Sequence, residues 1–180
     1  MKYCGECGQA VESRVPEGDN RPRFVCRSCG NVHYQNPRLV VGCVPEHAGA
    51  ILLCKRAIEP RSGYWTVPAG FMELGESLAE AAARETWEEA CARVEMGPLY
   101  ALVDVVHAGQ VHAFFEARLP TPDFAAGDES LEVRLFQPED IPWDELAFPS
   151  IRLALERYLE NRRAGSSRLH LDTAPRLRIS

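Results

Sequence analysis

Three glutamates, Glu85, Glu88 and Glu89, have a spacing that suggests chemistry. At positions i, i+3 and i+4 of a helix, their carboxylates lie on one face. Like charges at this spacing repel and cost roughly 0.2–0.5 kcal/mol per pair on an isolated helix. The cluster is therefore either a solvated face or a cation site. Hard divalent cations such as Mg²⁺ take carboxylate oxygens as ligands and would relieve the repulsion.

The segment SLAEAAARETWEEA, residues 77–90, contains these glutamates and is predicted to be a helix. Ser77 is a natural N-cap, and Glu80 three residues later completes a capping box. The alanines supply helix propensity. Arg84 lies four residues from both Glu80 and Glu88 and can offset part of the carboxylate repulsion.

The charged residues of this region follow a longer pattern. A glycine is followed after five residues by a glutamate, after seven more by an Arg-Glu pair, and two residues later by a Glu-Glu pair; these residues are Gly70, Glu76, Arg84, Glu85, Glu88 and Glu89. The arrangement resembles the Nudix box, G-x5-E-x7-R-E-U-x-E-E-x-G-U with U apolar, at every charged position. The preceding GYWTVPAGF also resembles the usual approach to that box.

Three positions depart from the pattern. Thr86 and Ala92 replace larger apolar residues, and Cys91 replaces the glycine that follows the helix. If residue 91 is left-handed, a non-glycine residue there costs roughly 1–2 kcal/mol. We expect this departure to affect stability rather than catalysis, because the acidic positions are intact.

The resemblance implies both a fold and a reaction. The fold is α+β, a Nudix-type α/β/α sandwich with a mixed sheet. The reaction is hydrolysis of a nucleoside diphosphate linked to another group. By the same resemblance, we expect the three helix glutamates and the Gly70 carbonyl to bind Mg²⁺ or Mn²⁺, and Glu76 to form an ion pair with Arg84. A carboxylate must take a proton from water, and four residues remain open for this role: Glu88, Glu89, Glu129 and Glu132.

Two C-x2-C pairs, eighteen residues apart, lie near the start of the sequence: Cys4, Cys7, Cys26 and Cys29. A glycine follows each pair and lets the backbone turn toward the thiolates. Four thiolates at this spacing favour a structural, tetrahedral Zn²⁺ site over incidental cysteines or a redox dithiol. Inert thiols are expected at the other three cysteines, Cys43, Cys54 and Cys91.

The zinc ribbon that these cysteines predict, residues 1–34, carries five Lys or Arg and four Asp or Glu, a balance near +1. A protein that reads nucleic acid uses more positive charge than this. We therefore expect a packing or dimerisation module without a nucleic-acid partner. Residues 35–163 are predicted to form the Nudix domain, and residues 164–180, which lack a clear period, a loose C-terminal tail.

The composition sets the class of protein. The chain has 180 residues, 46% of them apolar, and 20 Lys and Arg against 26 Asp and Glu give a formal charge of −6. This fits one domain with a small appendage and argues against a broad nucleic-acid-binding surface. No apolar signal segment or membrane-spanning run is evident, and the seven cysteines are an odd number. A cytoplasmic protein without a disulfide framework or membrane partner is expected.

Short apolar segments predict the sheet. Residues 38–44 and 50–56 are predicted as buried strands joined by a turn over 45–49. Further strands are predicted over VEMGPLYALVDVV, QVHAFFEARL and SLEVRLF, with GYWTVPAG a short extended piece broken by proline. PSIRLALERYLENRR is predicted as a helix with one apolar face formed by Ile151, Leu155, Tyr158 and Leu159. Because the order lacks regular βαβ alternation, a mixed sheet covered by helices is expected.

The substrate is inferred from segments outside the box. A four-cysteine ribbon before a Nudix domain occurs in NADH pyrophosphatases and in a group that includes FAD and ADP-ribose pyrophosphatases. The NADH group carries S-Q-P-W-P-F-P soon after the box, where this chain reads YALVDVVHAGQVHAFF. The segments EGDNRPRFVC, HYQNP, ESLEVRLF and IPWDELAFPS resemble the second group. The resemblance thus favours FAD or ADP-ribose, a dinucleotide-type substrate, with NADH next.

Substrate contacts are expected around the strand that precedes the box. Lys55, Arg56 and Arg61 are candidates for binding the phosphates. Phe71 is a candidate for stacking on a ring, whereas Trp65 is expected to pack in the core.

Two alternatives remain open. One is a non-enzymatic sensor that binds ADP-ribose or a dinucleotide; such modules often lose box carboxylates, which are intact here. The other is hydrolysis of NAD caps at RNA 5′ ends, which the ribbon permits and its near-neutral charge disfavours. The resemblance also implies a homodimer.

Overall fold

The structure, a computed structural model, describes residues 1–176. The chain divides into two compact units, Met1–Pro37 and a larger unit from Arg38 onward. Each unit contains its own sheet.

The first unit is a three-stranded antiparallel sheet formed by β1 (Val11–Arg14), β2 (Arg23–Cys26) and β3 (Val32–His33). The turn after each cysteine pair uses a left-handed glycine, Gly8 with φ 72° and Gly30 with φ 74°. The amide of Gly8 donates to the Cys4 carbonyl at 3.0 Å, and that of Gly30 to the Cys26 carbonyl at 3.1 Å. Glycine adopts this conformation without strain, so both turns can fold back on their cysteines.

The second unit is built on a mixed sheet. Its strands are β4 (Arg38–His47), β5 (Ala50–Arg56), β6 (Trp65–Thr66), β7 (Ala69–Phe71), β8 (Glu95–Val105), β9 (Gln110–Arg118), β10 (Ser130–Phe136) and β11 (His170–Thr173). The order is β10-β5-β4-β9-β8-β11, while β6 pairs with β5 and β7 with β4. β4 is parallel to β9 and β11 to β8, and the other pairs are antiparallel. The predicted mixed sheet is confirmed.

The helices α1 (Leu78–Ala90) and α2 (Pro149–Ala164) pack on opposite faces of this sheet. Adjacent residues of a strand point to opposite faces, and Cys43 packs with Ala81 of α1 whereas Val44 packs with Leu155 of α2. The predicted α/β/α sandwich is therefore confirmed. Short 3-10 turns occupy Val106–Ala108, Pro138–Asp140 and Trp143–Glu145. Neither α-helix in the described chain has the length and apolar character needed to cross a membrane.

The core beside α2 contains the predicted apolar face, Ile151, Leu155, Tyr158 and Leu159. Trp65 also lies in this core, with its ring centroid 4.9 Å from that of Phe136. The expected core position of Trp65 is confirmed. Burial of each large apolar side chain contributes roughly 1.5–3 kcal/mol, and this packing holds the strands that carry the cleft described below.

The turn between β4 and β5 is shorter than predicted. β4 continues through Pro45 to His47, so the prediction of a turn over 45–49 is wrong for its first three residues. Ala48 and Gly49 make the connection, with φ of 48° and 88°. Positive φ at both positions is typical of a two-residue hairpin turn whose twist matches that of the strands.

The prediction of a loose tail over 164–180 is wrong for its central part. Residues His170–Thr173 form β11, an edge strand beside β8. Arg157 of α2 holds this strand by two hydrogen bonds to Asp172, of 2.9 and 2.7 Å. Residues 177–180 lie outside the described residues.

Candidate active site

Helix α1 begins with the predicted capping box. The amide of Glu80 donates to Ser77 Oγ at 3.3 Å, and the amide of Ser77 donates to Glu80 Oε2 at 2.8 Å. The helix is capped by Cys91, which is left-handed with φ 49° and donates its amide to the Trp87 carbonyl at 2.9 Å. Cys91 therefore occupies a left-handed position that favours glycine, the residue usual at this place in the box.

The predicted glutamates lie on the side of α1 that lines a large cleft. Glu85 and Glu89 are buried, with 9% and 7% of their surface exposed, whereas Glu88 is exposed. Burial raises the pKa of Glu89 to about 8, against the opposing effect of a hydrogen bond from the Ala69 amide at 3.3 Å. Burial also raises the pKa of Glu85. Two buried carboxylates in one site are unfavourable as anions unless positive charge neutralises them.

Arg84 links these glutamates to the loop before α1. It donates two hydrogen bonds to Glu76, of 3.0 Å from Nε and 2.8 Å from Nη2. Its Nη1 donates to Glu85 at 2.8 Å and to Glu88 at 3.0 Å, and its Nη2 donates to the Phe71 carbonyl at 3.1 Å. The hydrogen bonds from Arg84 lower the pKa of Glu76 to about 2. Because the guanidinium is a rigid fork, it fixes the orientation of the carboxylates around it.

Glycines allow β7 to approach both β4 and the carboxylates. A Cβ atom on Gly70 would lie 2.2 Å from Glu85 Oε2, and one on Gly42 would lie 2.5 Å from Ala69 Cβ. No real contact is this short, so a side chain at either position requires a shift. The Gly70 backbone therefore lies directly against the Glu85 carboxylate.

The loop before β10 closes against the end of α1. A Cβ atom on Gly127 would lie 1.8 Å from the Glu88 carbonyl oxygen, and the Gly127 amide donates to the Glu89 carbonyl at 3.1 Å. This contact places Glu129 in the lining of the cleft. The negative charge of Glu129 contributes to the raised pKa values of Glu85 and Glu89, which puts a further carboxylate near the cluster.

The cleft has a volume of about 1380 Å³, and its lining includes Arg56 and Arg61. The Arg56 guanidinium lies 5.2 Å from the centroid of the Phe148 ring, and Arg61 donates from Nε to the Ala147 carbonyl at 3.2 Å. The Arg56 charge lowers the pKa of Glu89, opposing the effect of burial. The cleft therefore combines fixed cations with a carboxylate cluster, a combination suited to an anionic ligand that arrives with divalent cations.

Three predicted residues, Lys55, Glu76 and Glu132, are not among the residues that line the cleft, and Glu76 is linked to it through Arg84. Lys55 follows Cys54 and precedes Arg56 in β5, so its side chain points to the other face of the sheet from Arg56. The strand register pairs Glu132 with Lys55, which puts both on the same face. The Lys55 ammonium lies 5.6 Å from the Trp65 ring centroid. We therefore leave Lys55 and Glu132 out of the proposed site.

Among the cleft residues that sequence reasoning missed are an aromatic ring, Trp87, and a cation, Arg38. Trp87 is 48% exposed and lies one helical turn beyond Arg84. The Arg38 guanidinium lies 4.5 Å from the centroid of the Phe71 ring, which is itself 42% exposed. The sequence does contain a signal for Trp87. A tryptophan beside charged residues on the polar face of a helix indicates a ligand contact, because that face is otherwise polar.

Thr86, which replaces an apolar residue of the box, is buried, and its hydroxyl is hydrogen-bonded. Its Oγ1 donates to the Ala82 carbonyl at 2.7 Å and lies 3.1 Å from Cys43 Sγ. Burial raises the pKa of the Cys43 thiol to about 12 and that of Cys54 well above its usual value. Both thiols stay protonated, which agrees with the inert role expected for them.

The predicted zinc ligands come together in the first unit. The Sγ atoms of Cys4, Cys7, Cys26 and Cys29 all lie within 4.8 Å of one another. Three separations are 3.7 Å (Cys4 to Cys29), 3.4 Å (Cys7 to Cys26) and 3.5 Å (Cys7 to Cys29). A tetrahedron with Zn–S bonds of about 2.3 Å has edges of about 3.8 Å. The four sulfurs therefore fit a single zinc ion.

Comparison with known protein families agrees with the resemblance that the sequence motifs show. A family model described as "NUDIX domain" matches residues 36–157, and a zinc-ribbon model described as "Nudix N-terminal" matches residues 2–35. The chain belongs to the NUDIX family. The resemblance carried by the glutamate pattern and the cysteine pairs is thereby confirmed, at the level of a family of hydrolases.

Individual NUDIX relatives differ in how much of the chain they match. A NUDIX hydrolase of known crystal structure from Nitrosomonas europaea is 51% identical, with a TM-score of 0.94 over 98% of this chain and 100% of its own. The NAD-capped RNA hydrolase NudC of Salmonella typhi is 33% identical over 96 residues, 52% of this chain. The match spans about a third, 35%, of that relative's length. An ADP-ribose pyrophosphatase from Streptococcus suis, at 21% identity and a TM-score of 0.61 over 77% of this chain and 99% of its own, shows the fold alone.

Membership of the NUDIX family implies a catalytic divalent cation, and the residues fit one. Glu85 and Glu89 are buried carboxylates whose pKa values are raised by burial. The Gly70 backbone lies where a Cβ would collide with Glu85. Carboxylate and carbonyl oxygens are the donors that Mg²⁺ and Mn²⁺ prefer.

Proposed function

We propose that this protein hydrolyses the diphosphate bond of a nucleoside diphosphate linked to a second group, with FAD and ADP-ribose as the first candidates. The observation that carries the proposal is that Arg84 holds Glu85 and Glu88 by hydrogen bonds in a cleft that Glu89 and Arg56 also line. An acidic cluster of this kind repels an anionic substrate unless cations are bound, so it fits a metal-dependent reaction on a phosphate anhydride.

Each residue of the cluster has a proposed role. Glu85, Glu88, Glu89 and the Gly70 carbonyl would hold Mg²⁺ or Mn²⁺. When bound, such a cation neutralises diphosphate charge and makes a nearby water more acidic. Arg84 keeps the glutamates oriented through the hydrogen bonds described above.

The phosphate oxygens are proposed to be held by Arg56 and Arg61. Both line the cleft, and both are restrained, Arg56 by a hydrogen bond to the Pro60 carbonyl at 3.1 Å and Arg61 by the Ala147 carbonyl. A guanidinium has five N–H donors, so each arginine keeps donors for a phosphate after making its own protein contact.

Glu129 is proposed to take the proton from the attacking water. Glu85 and Glu88 accept hydrogen bonds from Arg84, and Glu89 is buried. Glu129 is exposed in the lining of the cleft, where its charge is felt by the buried glutamates. A base must reach the water inside the cleft. Glu129 lines the cleft, whereas the remaining candidate, Glu132, does not.

A second candidate is hydrolysis of NADH or of NAD caps on RNA. It is supported by the 33% identity to a NAD-capped RNA hydrolase over 52% of this chain. The absence of S-Q-P-W-P-F-P from the segment after the box and the near-neutral charge of residues 1–34 favour FAD or ADP-ribose instead.

The proposal is tested by a hydrolysis panel of FAD, ADP-ribose, NADH, NAD, diadenosine polyphosphates and a NAD-capped RNA, with Mg²⁺ and with Mn²⁺. Release of AMP from FAD or ADP-ribose at the highest kcat/KM is the expected result. Activity on nucleoside triphosphates alone would overturn the substrate class. Tight binding of ADP-ribose without hydrolysis would identify the non-enzymatic sensor.

The homodimer and the cytoplasmic location implied by the sequence are also proposals. Light scattering coupled to size-exclusion chromatography distinguishes a dimer from a monomer of 20.1 kDa.

A further inference from the structure

Two half-exposed aromatic rings line the cleft beside the proposed cation site. Phe71 is 42% exposed and directly follows Gly70, and Trp87 is 48% exposed and directly precedes Glu88. Rings of this size bury most of their surface in cores or interfaces. Two such rings left open in one cleft therefore mark surfaces that a ligand can cover.

Each ring is contacted by an arginine. The Arg38 guanidinium lies 4.5 Å from the centroid of Phe71, and that of Arg93 lies 4.8 Å from the centroid of Trp87. These distances are within the range of a cation–π interaction, which limits the orientations available to each ring. The exposed part of each ring then offers a restrained apolar surface. Stacking on such a surface accepts any planar heterocycle, because every base has a π-face.

Arg84 contacts the proposed cation-binding carboxylates and lies close to both rings in the fold. Its Nη2 donates to the Phe71 carbonyl at 3.1 Å, and Trp87 lies three residues later on the same helix, which is about one turn. Arg84 also bonds Glu85 and Glu88, where the diphosphate is proposed to bind. Both rings therefore line the same cleft as the carboxylates where the diphosphate is proposed to bind.

We infer that the site takes a diphosphate with a planar heterocycle at both ends, and that Phe71 and Trp87 are the two surfaces on which those heterocycles stack. This inference rests on the proposed function and narrows it. FAD carries two heterocycles, adenine and isoalloxazine, whereas ADP-ribose carries one. The geometry thus favours the dinucleotide over the sugar nucleotide.

The test compares FAD with ADP-ribose in the variants Phe71→Ala and Trp87→Ala. For FAD, each variant is expected to raise KM about tenfold, the size of a lost base–aromatic stack. For ADP-ribose, one variant is expected to raise KM and the other to leave it unchanged. Phe71→Tyr and Trp87→Phe keep a ring and should restore the KM for FAD. Leu74→Ala is the control, because Leu74 is 102% exposed and is not among the cleft-lining residues.

Two kinetic outcomes would overturn the inference. One is an unchanged KM for FAD in either alanine variant. The other is an equal rise with both substrates in both variants, which would indicate a general defect of the cleft. Circular dichroism and thermal unfolding verify that each variant is folded.

A binding measurement separates failure of this inference from failure of the proposed function. AMP and FMN, the two halves of FAD, are titrated into the full-length protein by calorimetry without divalent cations. If AMP affinity falls in one alanine variant and FMN affinity in the other, the two stacking surfaces are supported, even for a protein that hydrolyses no diphosphate. If neither affinity changes in either variant, the inference is wrong, even for a protein that hydrolyses FAD.

Discussion

Arg84 and Glu76 are joined by two parallel hydrogen bonds, of 3.0 and 2.8 Å, which tie helix α1 to the loop that precedes it. The same fork-to-carboxylate geometry recurs between Arg157 and Asp172, at 2.9 and 2.7 Å, outside the lining of the cleft. The described residues thus include a bidentate pair at the proposed site and another away from it. The Arg157–Asp172 pair can therefore serve as a control for substitutions in the Arg84–Glu76 pair.

Arg84→Lys is expected to lower kcat about 10- to 100-fold, because lysine keeps the charge but cannot hold Glu76, Glu85 and Glu88 with one rigid fork. Arg157→Lys removes an equivalent fork and is expected to lower the unfolding temperature while leaving kcat near that of the wild type. Steady-state hydrolysis of FAD and thermal unfolding measure both effects. Equal losses of kcat in the two variants would show that Arg84 acts through general stability alone.

Glu89→Gln and Glu129→Gln are expected to lower kcat by about 10²–10⁴ for different reasons. Glu89→Gln removes a proposed ligand, so Mn²⁺ affinity, followed by electron paramagnetic resonance, should fall with kcat. Glu129→Gln removes the proposed base, so Mn²⁺ affinity should be retained while kcat falls. Weaker Mn²⁺ binding in Glu129→Gln would make Glu129 a ligand instead, and an unchanged kcat would exclude it as the base.

Much of the fold could be predicted because its signals are local. Apolar runs placed β5 and β10 at their observed bounds, and the capping residues Ser77 and Glu80 placed the start of α1. The four carboxyl-bearing box positions lie within fourteen residues, from Glu76 to Glu89, so helical periodicity alone brings most of them together. No long-range information was needed for these elements.

The features that were missed depend on contacts distant in sequence. β11 is a four-residue strand held by Arg157, fifteen residues before its partner Asp172, and a strand this short has no period to detect. The exclusion of Glu132 follows from its strand register with Lys55, which composition does not reveal. The position of Glu129 depends on the close approach of Gly127 to α1.

Gly127→Ala is expected to lower both stability and kcat. The new Cβ would lie 1.8 Å from the Glu88 carbonyl oxygen, so the loop must move away from α1 and carry Glu129 with it. Overpacking of this kind costs roughly 1–3 kcal/mol. Gly5→Ala is the control, because a Cβ there has nothing within 4 Å. Urea unfolding and FAD hydrolysis give the two readouts; wild-type values for both in Gly127→Ala would contradict the observed closure of this loop.

The ribbon is expected to bind about one Zn²⁺ per chain through its four thiolates, and Cys26→Ser should abolish the binding. The small sheet of β1–β3 has little core of its own, so its folding should depend on the metal. Atomic absorption gives the zinc content, and amide dispersion in NMR spectra reports the ribbon fold. Cys91→Ser is the control and should retain zinc, because Cys91 is not part of the four-sulfur cluster. Full zinc content in Cys26→Ser would exclude the proposed ligand set.

His112 is expected to make the protein less stable as the pH falls below about 6.5. Burial lowers the pKa of its imidazole to about 4, from a usual value of 6.5. Between these values the unfolded chain binds a proton that the folded chain does not, so the contribution is complete above pH 6.5 and is lost progressively toward pH 4. This lowering of the His112 pKa corresponds to at most about 3 kcal/mol of unfolding free energy.

His112→Phe keeps a ring and removes the titration, so its free energy of unfolding should depend less on pH than that of the wild type. Urea unfolding at several pH values measures both proteins, and exposed His107→Gln should keep the wild-type slope. Parallel pH profiles for the wild type and His112→Phe would show that folding does not lower the pKa of His112.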